Sequence, residues 1–130
     1  MTTYHNTHWD NPQHSRYCLT LQKGWTWDAW MQGHITAYQE MAAAQHPVDF
    51  VVVIKHGLPV GDSISCLRFA RQKPFNVQRV VYVNKTGPTL EHMVHAVGQV
   101  LRWPIPHFTA SLAEARIYLD TPTSLIQNEL

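Results

Sequence analysis

The chain has 130 residues, one domain's worth, and a chain of that size buries about two-thirds of its unfolded surface without a disulfide or metal to hold it. Ten Lys and Arg oppose nine Asp and Glu, and charged residues make up only 15%, which argues against a dedicated nucleic-acid binder. Hydrophobic residues at 45% argue against disorder, no apolar run approaches a membrane span, and two cysteines, Cys18 and Cys66, make no disulfide framework. The polar stretch Met1–Pro12 does not read as a signal peptide, so a reduced, cytoplasmic protein without a transmembrane segment is expected.

In chain order, Tyr4–Trp9 is the hairpin partner of Arg16–Leu21, with Asp10-Asn11-Pro12-Gln13 supplying turn residues. Arg16–Leu21 alternates, which turns Tyr17, Leu19 and Leu21 inward and marks a peripheral strand. Thr26 caps a first helix whose apolar stripe is Trp27, Trp30, Met31, Tyr38 and Met41, with Ala42 beside it; Gln45-His46-Pro47 ends it. Phe50–Ile54 and Val80–Val83 are apolar at every position, as in strands covered on both faces. Between them a short helix runs from about Ser63 to Gln72, with Ile64, Leu67, Phe69 and Ala70 inward. A third helix spans Thr89–Leu101, His107–Ala110 supplies a last strand, and Ser111-x-x-Glu114 opens a final helix as a capping box.

Strands alternating with helices predict an α/β fold: a single mixed, mainly parallel sheet with an N-terminal antiparallel hairpin and about four helices. It occupies residues 1–120, with 121–130 a C-terminal tail. Three stretches carry a family likeness. They are Gly24-Trp25-Thr26-Trp27-Asp28 at the first helix, His46 through Val53 leading into the first buried strand, and Asn76 through Val83 with Thr109-x-x-x-x-Glu114-Ala115 beyond it. In order and in these motifs the chain resembles the STAS family of anti-sigma-factor antagonists, in its divergent bacterial STAS-like branch. The resemblance implies a non-enzymatic regulatory or interaction module with a protein partner, a kinase or an anti-sigma factor. It also implies a phosphate-accepting Ser or Thr at the start of the helix after the central strand. Here that place reads Gly57-Leu58-Pro59-Val60-Gly61-Asp62-Ser63-Ile64-Ser65. Asp62-Ser63 matches the first half of the family's pattern and Ile64-Ser65 departs from the second, so the switch is a degenerate one. The order is also similar to the lipid-carrying CRAL-TRIO domains, which makes a small apolar or lipid-like ligand the alternative.

The candidate phosphate or anion site is therefore Asp62, Ser63 and Ser65, although either of the first two also reads as an ordinary helix cap. The candidate interaction surface is Gly57, Gly61, Arg68, Arg71 and Trp103, the last beside Pro104-Ile105-Pro106, where a partly exposed ring suits an interface anchor. Between Lys55 and Arg102, seven basic side chains against two acidic ones leave a local excess of +5, suited to an acidic partner. Nine histidines include His5-x-x-His8 and His92-x-x-His95, but neither pair brings a third ligand at a recognisable spacing, so no metal site and no cofactor are assigned. Trp25, Trp27 and Trp30 read either as core or as a ligand wall. Cys66 near the helix start and a His56–Asp62 pair are the only groups suggesting catalysis, and no catalytic motif accompanies them. Self-association through an exposed edge strand, giving a homodimer, suits either function.

Overall fold

The two fully apolar runs lie side by side and run in the same direction, with a helix passing between them. The computed structural model describes residues 4–55 and 57–121. Its elements are β1 (His5–Trp9), β2 (Arg16–Leu21), α1 (Trp27–Ala44), β3 (Val48–Ile54), α2 (Ser63–Arg71), β4 (Val77–Asn84), α3 (Pro88–Leu101), β5 (His107–Thr109) and α4 (Leu112–Asp120). The five strands form one sheet in sequence order, β1 antiparallel to β2 and the rest parallel. The fold is thus α/β with an opening hairpin, as expected.

Sequential strand order has a geometric consequence. Each crossover advances the sheet one place in the same direction, so crossovers of one hand put their helices on one face. That face is filled by Tyr17, Leu19, Leu21, Phe50, Val52, Ile54 and Tyr82 against side chains of α1, α2 and α3. The opposite face is thinner: Cys18, Val51, Val53, Val81 and Val83 meet Ala115 and Leu119 of α4, with Leu112 and Tyr118 partly buried beside them. β3 is buried on both faces because α4 returns beneath it.

Four details depart from the sequence expectations. β2 is an inner strand rather than a peripheral one: Cys18 is buried under α4 while Tyr17, Leu19 and Leu21 face α1. On α1, Ala42 is exposed and Met31 only half-buried, whereas Gly33, His34 and Ala37 complete the stripe. Gly33 is there because a Cβ would lie 2.5 Å from Leu19 Cδ1, so only glycine lets the helix sit this close to β2. On α2, Cys66, Leu67 and Ala70 point inward and Ile64 outward. Trp103 is only 9% exposed and joins the main core, so it is no surface anchor. The polypeptide folds the ring inward because the amide of Trp103 closes onto the Gly98 carbonyl (2.9 Å) behind the left-handed cap residue Arg102.

Candidate functional site

The segment after β3 is fixed from below by tryptophan. The indole N–H groups of Trp25, Trp27 and Trp30 donate to the carbonyls of Lys55, Pro59 and Cys66 at 3.2, 3.0 and 3.3 Å. The three rings also pack edge-on or tilted against one another, with centroids 5.0 to 5.8 Å apart. A buried indole needs an acceptor, and an irregular loop has spare carbonyls; each supplies what the other lacks. The tryptophans are therefore core and a three-point staple for the loop, and they line neither of the two clefts described below.

On this base, Gly57 (φ 115°) and Gly61 (φ 128°) take backbone conformations that side chains disfavour. They swing Val60 out until it is 98% exposed. Asp62 then caps α2: one carboxylate oxygen accepts from the Ser65 amide at 3.0 Å and the other from the Ser65 hydroxyl at 2.7 Å. These bonds hold the Asp62 carboxyl below its usual range. The capping reading of Asp62 is what the geometry contains. Ser63 is half-buried at the first turn, and Ser65 is exposed but has its hydroxyl committed to Asp62.

Val60, Asp62, Ile64, Ser65 and Arg68 are all exposed, on the loop that follows β3 and the first turns of α2. Ile64 is 54% exposed there. Arg71, expected to share this surface, instead donates to the Leu101 carbonyl at 2.5 Å, tying α2 to the end of α3. Lys73 is likewise turned away, donating to the Val77 carbonyl at 2.6 Å. Val60 and Ile64 escaped the sequence reading because an apolar residue beside a helix start is ordinarily counted as core.

Cys66 is buried against the Trp27 carbonyl, and burial, with Asp62 and Asp28 nearby, pushes its thiol up. A thiol shifted that way is a poor nucleophile, opposite to the acidification a helix start would give. His56, the other half of the suggested acid–base pair, lies outside the described residues. His5 and His8 are three apart on a strand and so face opposite sides of it. His92 and His95 are exposed on α3, with His95 3.9 Å from Glu91. Among the described residues no three His, Cys, Asp or Glu side chains come together as a metal site.

One cleft lies elsewhere, between β4, the 104–106 segment, β5 and α4. It has a volume of about 680 Å³ and includes Lys73, Arg79, His95, Ile105, Phe108 and Tyr118. A second, of about 420 Å³, lies at the carboxyl ends of β4 and β5 between Asn84, Glu91 and Glu114. Neither takes in the 57–65 loop. No helix among the described residues is long and apolar enough to cross a membrane. The fold and these surfaces define an α/β protein of the sequential, mainly parallel kind. Comparison of the chain with family models, curated proteins and solved structures returns no match.

Proposed function

We propose that the protein is a non-enzymatic interaction module whose working surface is the 57–65 loop with the start of α2. The observation that carries this is the pair Val60 and Ile64, two exposed aliphatic side chains, one on the loop and one in the first turn of α2, in a segment anchored by indole hydrogen bonds at Lys55, Pro59 and Cys66 and by the Asp62 cap. A preordered apolar patch loses little entropy on association, and Arg68 beside it supplies a charge for orientation. The STAS resemblance gives the same surface a protein partner, a kinase or anti-sigma factor, and makes Ser63 the better phosphate acceptor. Ser65 would have to surrender its bond to Asp62 and set a phosphate against that carboxylate.

The test is recovery of partners from native extract by wild type and by Val60→Asp, Ile64→Asp and Ile117→Asp. Ile117 is an exposed aliphatic on α4 and serves as the control. Val60→Asp and Ile64→Asp are expected to melt like wild type and to lose a partner that Ile117→Asp keeps. If both retain every partner, the surface is wrong. Phosphate mapping of the recovered protein then decides between Ser63 and no switch at all.

A further inference from the structure

The two edges of the sheet are built differently. β5 is three residues long and follows Pro104-Ile105-Pro106, so a pairing chain finds little to hold there. β1 is five residues long, contains no proline, glycine, lysine or acidic residue, and runs in unbroken register against β2. Among the described residues it has a strand on one side only. The direction of its outer groups is fixed by the bonds at its two ends. The Gln22 amide donates to the Tyr4 carbonyl at 2.7 Å, and the Asp10 amide donates to the Arg16 carbonyl at 2.8 Å. Antiparallel bonding alternates, so Tyr4, Asn6, His8 and Asp10 turn their backbone groups toward β2, and His5, Thr7 and Trp9 turn theirs outward. An edge without the devices that protect natural sheets is a template for another strand.

The pattern of the edge is complementary to itself. Turned about a two-fold axis through Thr7 and normal to the sheet, β1 meets its own copy antiparallel, and every outward residue falls in a bonded pair. His5 stands opposite Trp9 of the second copy, Thr7 opposite Thr7, and Asn6 opposite His8. No like charges are set against each other: the strand has no Lys, Arg, Asp or Glu, and the nearest carboxylate, Asp10, is held by Arg116 and Arg16. The Trp9 ring is half-buried, edge-on to Tyr17 and stacked on His14, and gains the copy's His5 as a cross-strand neighbour. We propose that two copies of the chain associate through β1, antiparallel about Thr7, into one continuous sheet. The contact is small beside a permanent interface, so the dimer is reversible, with a Kd on the order of 100 µM. It is separate from the 57–65 surface and does not depend on its function.

The experiment is sedimentation equilibrium of the whole protein from about 1 µM to about 1 mM, with amide exchange measured at both ends of the range. Wild type is expected to pass from monomer to dimer. The amides of His5, Thr7 and Trp9 should gain protection only as the dimer forms, while those of Asn6 and His8, bonded to β2, are protected throughout. Thr7→Pro removes an outward N–H and no bond to β2, so it should melt like wild type and weaken association at least about tenfold. Thr7→Lys and Thr7→Glu should each stay monomeric, and an equal mixture of the two should pair, because a two-fold axis through residue 7 sets those side chains opposite each other. That mixture decides the matter if Thr7→Pro fails to fold, and Val60→Asp should associate like wild type. A wild type monomeric at about 1 mM, a Thr7→Pro form that associates equally well, or a mixture that gains nothing over its parents overturns the proposal. Protection of the His5, Thr7 and Trp9 amides in the monomer would mean that another part of the chain covers the edge, and overturns it equally.

Discussion

His34 is the most consequential single residue that periodicity did not mark. It is fully buried in α1, stacked on Trp30 at 4.5 Å and edge-on to Tyr38 and Phe50, with Nδ1 2.8 Å from the Trp30 carbonyl. Its Nε2 has no partner. Burial pushes its pKa down to about 4, against the smaller upward pull of the Trp30 carbonyl. Above pH 6.5 the ring is neutral in both folded and unfolded chains and has no effect on pH dependence. Between 6.5 and 4 the unfolded chain takes up a proton that the folded one refuses, so stability falls as pH falls, by up to about 1.4 kcal/mol per unit. Urea unfolding at pH 7 and pH 5 should show this loss, and His34→Leu should flatten it. A variant with the wild-type slope would place the pH sensitivity in other groups.

At the scale of elements, two helical glycines look alike in sequence and differ in what they touch. Gly33 in α1 faces the buried Leu19, while a Cβ on Gly98 in α3 would meet Ile105 Cγ2 at 2.7 Å. Leu19 is enclosed by the sheet; Ile105 is 39% exposed and free to turn aside. Ala at either site gains roughly 1 kcal/mol of helix propensity over glycine. At Gly33 the overpacking costs about 1–3 kcal/mol and outweighs that gain; at Gly98 the gain survives. Thermal melts should therefore fall for Gly33→Ala and hold or rise for Gly98→Ala. The caps were readable in advance: Thr26 accepts from the Ala29 amide and Ser111 from the Glu114 amide, each at 3.1 Å, because Ser and Thr at these places satisfy donors that no helix can.

For the molecule as a whole, the two faces of the sheet are unequal, and the thinner one is tied down by charge. The Arg79 guanidinium pairs with Asp49 at 3.1 Å and donates to the carbonyls of Leu119 (2.7 Å) and Thr121 (2.9 Å) at the end of α4. Arg116 grips Asp10 through two bonds, and Arg16 reaches both Asp10 and Asp120. Burial alone would raise the Asp10 carboxyl, but Arg116 and Arg16 hold it below its ordinary value. Arg79→Leu leaves Asp49 without its cation and the carbonyls of Leu119 and Thr121 without this donor, at a cost of about 2 kcal/mol. Amide exchange should then speed up across α4 before α1. Uniform acceleration would mean that the α4 layer does not open separately.

The sequence by itself determined the strand and helix order, the parallel pairing of the two apolar runs and the caps. These follow from local chemistry: side-chain periodicity, missing N–H groups at proline, and hydroxyls or carboxylates at helix starts. Tertiary structure alone decided which side chains that looked like core were left in solvent, as with Val60 and Ile64, and which looked exposed but were buried, as with Trp103. It also paired the indoles of Trp25, Trp27 and Trp30 with carbonyls 30 or more residues away, committed Arg71 to α3, and let β5 pair with only Val81–Val83 of β4. Periodicity reports one face of one element, whereas exposure and hydrogen-bond partners depend on what the rest of the chain brings against it.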